Sequence, residues 1–313
     1  MEYIITRKER RIASLEHFIS LPKIFLALPF FTPKNTTSQE SHITVAKFGE
    51  LKDIKLKSVN LSVITDFEVF LFLMKKAYEK KSNTFEFDNF EIYDYLKIKS
   101  NHRDTFFKSV YLNLVEEKLS SIDVSYSKKN DAETSRYGFK FIEYRKVSKK
   151  KTSVRLSKEF IEFFNGLEDL YEISRRVLNL LSNEYQRILY ILYICNRRNT
   201  TNYFSVDDLR KRFSVTEKMP NKTFVMKIRD ANKALQALGF ISGFKEDKGE
   251  KANGPTIRFL VDYTYKTLYS DFGKKRAAAE LNLSAFNSTK KIKILEAENL
   301  PKKIINTGDD EWI

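Results

Sequence analysis

An α+β fold, mainly helical and built twice over, is what this sequence predicts, and three observations carry the prediction. A block of about 100 residues recurs after a shift of 117 to 119 positions, and a repeat of that kind governs every other reading of the fold. Each copy runs in the same order: an apolar helix, a short strand, two more helices and a hairpin. Glycine and proline are scarce, at 9 and 6 of 313 residues, which favours helices over a loop-rich all-β chain. The order is that of a winged helix-turn-helix, so the chain reads as two such domains in tandem, related by internal duplication.

The elements run in sequence order. Thr65-Asp66-Phe67 opens the first apolar helix and Asn183-Glu184-Tyr185 its counterpart; Phe70, Leu71, Met74 and Ala77 match Ile188, Leu189, Leu192 and Cys195. Phe67, Phe70, Leu71 and Met74 have i, i+3, i+4, i+7 spacing, one helical face, with Thr65 placed to cap it. Phe85 to Asp88 matches Phe204 to Asp207 as strand entering helix. The second helices are expected at Asn89 to Lys97 and, with Ser205 as cap, at Val206 to Phe213. The third are expected at about Arg103 to Leu119 and, with Asn221 as cap, at Lys222 to Leu238; Thr105-Phe106 matches Thr223-Phe224. Leu119 to Ile122 matches Leu238 to Ile241 at the hairpin. Its return strand, Tyr137 to Tyr144 in the first copy, aligns Phe139 to Phe141 with Ile257 to Phe259. The second hairpin's tip is placed at Lys245 to Pro255, where Gly249, Gly254 and Pro255 suit a turn.

These marks divide the chain into a leader (1–60), a first winged-helix domain (61–165), a second (166–265) and a C-terminal extension (266–313). In the leader, Arg7 to Phe18 reads as a short basic helix, Pro22, Pro29 and Pro33 break the chain after it, and Thr44 to Asn60 reads as strand packed on the first domain. A connecting helix is expected over Glu172 to Leu181. In the extension, Ala277 to Leu281 reads as helical, and the acidic end Asp309-Asp310-Glu311-Trp312-Ile313 as a solvated terminus, with a docking peptide for a partner as the alternative.

Hydrophobic content of 42% is enough to bury real cores. The net charge of +15 and the pI of about 9.5 point to a polyanionic partner, because clustered cations release counterions from nucleic acid. The bland alternative is a charge that serves solubility. The single cysteine, Cys195, excludes a disulfide framework and cysteine-rich zinc sites, and reads as a small core residue. Leu21 to Phe31 is too short to span a bilayer and contains prolines. No secretory signal pattern opens the chain. A soluble, cytoplasmic protein is expected, with no membrane partner.

The third helix of the second domain carries the sharpest functional pattern. Phe224, Ile228, Ala231, Leu235 and Leu238 fall on one side at about 100° per residue. Lys222, Met226, Arg229 and Lys233 fall on the other. A helix held by one face and presenting such a row suits a major groove about 12 Å wide. Asn221, Lys222, Thr223, Met226 and Lys227 lie near its N-terminus, where side chains reach base edges; Arg229 and Lys233 suit guanine or phosphate. The matching helix of the first domain turns Phe106, Phe107, Val110 and Leu114 inward and Thr105, Lys108, Leu112 and Glu116 outward. Such a face suits a protein contact, or phosphate contacts through Lys108. Arg145 to Lys158 holds seven cations in 14 residues and no carboxylate; Lys149, Lys150, Lys151 and Arg155 there are candidates to track a phosphate backbone, or are solvated. Lys245, Lys248 and Lys251 in the second hairpin are candidates for backbone or minor groove.

Catalytic chemistry is not expected, nor a metal or any other cofactor. There is no Gly-x-x-x-x-Gly-Lys-Ser/Thr loop. His17, His42 and His102 are scattered and include no His-x-His pair, and the many tyrosines lack an accompanying Arg-His-Arg set. Acidic residues lack paired spacing.

At these residues the chain resembles the iteron-binding plasmid replication initiators. The similar segments are Leu178 to Val215, with LNLLSNEYQRILYILYI and FSVDDLRKRFSV, and Lys222 to Tyr263, with KTFVMKIRDANKALQALGF. The first domain is similar in architecture more than wording, and the resemblance covers roughly residues 60 to 265. It implies that Lys222 to Leu238 enters the major groove of direct repeats at an origin. It also implies that the first domain contacts the backbone in a monomer and forms the interface of a homodimer that represses its own gene, with host replication proteins as candidate further partners. A winged-helix transcriptional regulator and a winged-helix protein-interaction module remain the alternatives.

Overall fold

Phe31 ties the leader into the core: its ring lies 4.6 Å from Phe67 and 5.6 Å from Phe70. The computed structural model describes residues 18–22, 29–33, 40–48, 51–129, 135–166, 170–196, 201–215, 218–251 and 254–263. The chain divides into two compact units, Met1–Thr264 and Tyr265–Ile313, and every described residue belongs to the first. The expected helix over Ala277 to Leu281 and the acidic end therefore lie outside the described residues, as does the expected basic helix apart from Phe18.

The leader forms strands β1 (Phe18–Pro22), β2 (Phe31–Thr32), β3 (Glu40–Phe48), β4 (Leu51–Val59) and β5 (Leu61–Ser62). β2 and β5 pair in parallel, and β3 and β4 form an antiparallel hairpin, in agreement with strand over Thr44 to Asn60. β4 buries Leu51, Ile54 and Leu56. The phase shifts between Leu51 and Ile54, where Asp53 takes φ 49 and the ladder slips by one residue, as a β-bulge does.

Helix α1 (Thr65–Lys80) begins at Thr65 itself, and Asp66 makes the nearby polar contacts: its carboxylate accepts from the Ser62 N–H at 2.8 Å and from the Lys118 ammonium at 2.9 Å. Beyond the four expected positions it also buries Val69, Phe72 and Leu73, because elements pack on both sides. Phe70 meets Phe141 at 4.9 Å, while Phe72 meets Phe87 at 5.0 Å and Tyr95 at 5.1 Å. Strand β6 (Thr84–Asp88) then leads into α2 (Asn89–Tyr95) through a capping box, in which Asp88 accepts from the Phe90 N–H and Glu91 accepts from the Asp88 N–H. Helical residues 103–118 form α3, with π-helical turns at Phe107–Tyr111 and Leu114–Lys118.

The first hairpin differs from expectation. β7 (Asp123–Lys128) and β8 (Tyr137–Lys140) pair with Tyr126 opposite Tyr137 and complete a sheet of order β3-β4-β7-β8. The return strand breaks at Phe141, whose buried ring is gripped by Phe70 and by Phe160 at 4.7 Å. It continues as β9 (Ile142–Val147) in a different sheet, of order β6-β10-β9, with β10 (Lys151–Leu156). The basic stretch after Arg145 is therefore a hairpin of β9 and β10. Helix α4 (Lys158–Gly166) comes next.

The second half runs β11 (Leu170–Ser174), α5 (Arg175–Leu178), α6 (Glu184–Asn196), β12 (Thr201–Ser205), α7 (Val206–Arg212), α8 (Asn221–Ala237), β13 (Ile241–Lys251) and β14 (Gly254–Tyr263). The expected helix over Glu172 to Leu181 is strand at its start, because Leu170 to Ser174 pairs with β1. Ser205 caps α7 as expected, accepting from the Asp208 N–H at 3.1 Å. The supposed wing tip Lys245 to Pro255 is mostly paired strand, in register up to Lys251 opposite Gly254. Cys195 is a buried core residue of α6.

Helix, strand, two helices and a two-stranded hairpin thus occur in the same order in both halves, and in each the strand after the first helix pairs with the hairpin's second strand. The structure corrects two alignments. Asp88 and Ser205 both end their strand and cap the next helix, so Asp88 corresponds to Ser205 and not to Asp207. Arg258 lies opposite Ser205, and the residue opposite Asp88 is Lys151 and not Lys140. The β7–β8 hairpin is extra to the first half. With five sheets among the described residues, the architecture is mixed α/β, and strands hold more of it than a mainly helical fold implies. The halves touch through Glu68 of α1 and Arg187 of α6, 3.6 Å apart, with Glu68 buried and Arg187 half-buried. Arg212 of α7 also donates to the Phe31 carbonyl at 3.1 Å, and burial holds its guanidinium down to about 10.

Candidate nucleic-acid interface

Helix α8 starts after Pro220, whose carbonyl accepts from the Phe224 N–H at 3.1 Å. Asn221 is the first helical residue and not the cap, and no side chain caps the end. The helix stops where Gly239 adopts φ 73 and the Phe240 N–H returns to the Leu235 carbonyl, a conformation that glycine reaches without strain. Phe224, Ile228, Ala231 and Leu235 are buried, with Phe224 5.7 Å from Phe213 and 6.2 Å from Tyr185. Asn232 is also buried and accepts from the Tyr193 hydroxyl at 2.6 Å. The opposite side faces solvent: Asn221, Lys222 and Lys233 are exposed, Met226 is 51% exposed, and Thr223 and Arg229 are half-buried. The expected division of this helix into a core face and a solvent-facing row is present, except that Leu238, expected in the core, follows the last helical residue and is half-buried.

Its cations are not alike. Arg229 donates through Nε and Nη2 to the Glu246 carboxylate of β13, at 2.6 and 2.9 Å. That contact holds the Glu246 carboxyl below its ordinary value. Lys227 lies on the flank of the helix, with its ammonium 5.0 Å above the Tyr185 ring, beside a pocket of about 420 Å³ lined by Tyr185, Met219 and Asp230. It is therefore off the row formed by Lys222, Met226, Arg229 and Lys233. Lys222 and Lys233 form no ion pair among the described residues. In the hairpin, Lys248 shares the Glu246 face of β13, alternate to Lys245, and both are exposed. The side chain of Lys251 lies outside the described residues.

In the first half the polarity of the same contact is reversed. Asp104, at the start of α3, accepts from Lys108 at 2.8 Å and from Lys149 of the hairpin turn at 2.9 Å. These two ammonium groups pull its carboxyl down to about 2. The core of α3 also departs from expectation, since Tyr111 and Val115 are buried beside Phe107 and Leu114 while Val110 is half-buried. The π turns explain the change, because their wider winding brings Phe107, Tyr111 and Val115, four residues apart, onto one side.

A buried chain of hydrogen bonds builds the basic turn. The Tyr111 hydroxyl donates to Thr152 Oγ1 at 3.0 Å, and Thr152 donates to Asn89 Oδ1 at 2.8 Å. Asn89 Nδ2 donates to the carbonyls of Ser148 at 2.8 Å and Lys149 at 3.3 Å, and its N–H donates to the Lys150 carbonyl at 2.8 Å. With the carbonyls turned inward, the side chains of Lys149 and Lys150 are left exposed at the tip. Lys151 and Arg155 stand instead on the outer face of the sheet, paired with Glu86 at 2.8 Å and Glu143 at 3.1 Å. The four cations read together in the sequence therefore separate into a turn pair and a sheet pair. Glu246, Asp104 and Asn89 carry no signal that singles them out in the sequence. Only the alternation of Thr152, Val154 and Leu156 could mark the second strand of that hairpin.

Among the described residues no group of three or more His, Cys, Asp or Glu side chains could hold a metal ion, and no helix is long and apolar enough to cross a membrane.

No protein-family profile matches the chain, and no curated protein matches it in sequence. Among solved structures, the chain is similar to domains 2–3 of RctB, with 12% identity and a TM-score of 0.43 over 77% of this chain and 96% of that one. It is also similar to the Pi initiator protein crystallised in complex with iteron DNA, with 17% identity and a TM-score of 0.38 over 57% of this chain and 81% of that one. With TM-scores below 0.5, neither likeness bears on what this chain binds.

Proposed function

We propose that this protein is a sequence-specific duplex-DNA-binding replication initiator, built of two winged-helix domains and without enzymatic activity. The observation that carries the reading is α8, which is anchored by a fully buried face and presents Lys222, Met226, Arg229 and Lys233 to solvent beside a two-stranded wing. This is the shape and charge that a major groove accepts. The first domain serves differently. Its corresponding helix places Asp104, held by Lys108 and Lys149, at the position where a base-reading helix would offer a free cation, so α3 is poorly suited to read bases on that side. Its turn offers Lys149 and Lys150, which suit backbone contacts. The sequence resemblance of Leu178 to Val215 and Lys222 to Tyr263 to iteron-binding initiators narrows the ligand to direct repeats at an origin. From that resemblance too come a homodimer that represses its own gene and contacts with host replication proteins.

A fluorescence-anisotropy titration at about 0.15 M salt, where the screening length is about 8 Å, tests the reading. It compares duplex DNA from immediately upstream of the gene with a shuffled duplex. Tight binding that steps up with each direct repeat supports an initiator. Binding to a single inverted repeat indicates a transcriptional regulator. Equal, weak and salt-sensitive binding to both duplexes indicates a protein-interaction module.

A further inference from the structure

The Arg229–Glu246 contact does more than neutralise two charges. Glu246 takes the Nε and Nη2 hydrogens along one edge of the guanidinium, at 2.6 and 2.9 Å. The Nη1 hydrogens and the second Nη2 hydrogen stay free at the end of the fork. Two parallel N–H bonds from that end match the O6 and N7 acceptors of guanine. An arginine on a free stem samples many rotamers and takes phosphate or base alike. A two-point contact from a paired strand removes that freedom, because β13 is held to β14 over its whole length. The carboxylate also carries the charge of the DNA backbone, so it opposes a phosphate approaching Arg229 from its own side. Lys222 and Lys233 on the same row have no such partner among the described residues and remain open to phosphate.

We propose that Glu246 is a positioning residue for sequence recognition: it sets Arg229 as a reader of one guanine rather than a general phosphate contact. The inference rests on the reading of α8 as the DNA-reading helix.

The test is selection from a duplex library with a randomised window of about 20 base pairs, two helical turns, at about 0.15 M salt. Wild type, Arg229→Ala, Glu246→Gln and Glu246→Ala are each used as the full chain, and the bound fraction is sequenced. The thermal unfolding midpoint shows that each variant is folded, and either Glu246 variant serves if the other is not. Wild type is expected to enrich a motif, and Arg229→Ala to lose a guanine at one position. The Glu246 variant is expected to weaken the preference for that same guanine by about tenfold, with the other positions intact and binding to a shuffled duplex equal or tighter. Retention of that guanine at wild-type strength overturns the proposal and leaves the reading of α8 standing. A uniform weakening at every position also overturns it, since that is the signature of a merely structural role. If wild type enriches no motif, the reading of α8 fails and the inference fails with it.

Discussion

Lys149, in the turn between β9 and β10, reaches Asp104 at the start of α3 at 2.9 Å, and Lys108 reaches the same carboxylate at 2.8 Å. One exposed carboxylate thus pairs with two cations that themselves face solvent. Asp104→Asn is expected to free both. Affinity for a shuffled duplex should rise severalfold, and the dependence of log K on log salt should steepen by about one to two, one for each phosphate newly contacted. An unchanged salt slope would mean that these lysines do not meet DNA.

The same carboxylate has a pH consequence. Its folded value is about 2 against an ordinary 3.8. Because the folded value is depressed, the contribution of the pair is fully present above about pH 4 and is lost as pH falls through about 2. A carbon-detected NMR titration should place the Asp104 midpoint near 2, and in a protein with Lys108 and Lys149 both changed to Ala it should return towards 3.8.

Asn89→Ala removes the donor to the Ser148 and Lys149 carbonyls and the acceptor for Thr152. Burial of these groups without partners should cost about 1–3 kcal/mol, read as a lower urea midpoint with an unchanged slope. The loss of fixed geometry at Lys149 and Lys150 should weaken binding to both specific and shuffled duplexes, not to one alone.

Tyr193→Phe deletes the hydroxyl that donates to Asn232 inside the second half, where both side chains are buried. The expected loss is about 1–2 kcal/mol of stability in urea unfolding, with DNA discrimination unchanged, since neither group reaches the exposed row of α8.

These cases also mark how much of the molecule is legible in its sequence. The core face of α8 is readable because its winding is regular, so Phe224, Ile228, Ala231 and Leu235 recur at helical spacing. The core face of α3 escapes a periodicity reading because π turns alter the spacing, and nothing in the residue types announces them. In the first hairpin the alternation of Tyr137, Phe139 and Phe141 changes phase at Phe141-Ile142, which a periodicity reading takes as an irregularity in one strand, while the passage to a second sheet comes from tertiary contacts of Phe141 with Phe70 and Phe160. The basic row is visible as charges. Which of those charges are engaged, as Arg229 is by Glu246, depends on pairings between residues far apart in sequence, and periodicity carries no information about them.

The central claim is that the exposed row of α8 reads duplex DNA. Its most direct test titrates wild type and the double variant Arg229→Ala, Lys233→Ala against the upstream duplex and its shuffled control at about 0.15 M salt. The account predicts a loss of about tenfold or more on the upstream duplex and a much smaller loss on the control. Equal losses on both duplexes, or no loss on either, would contradict it.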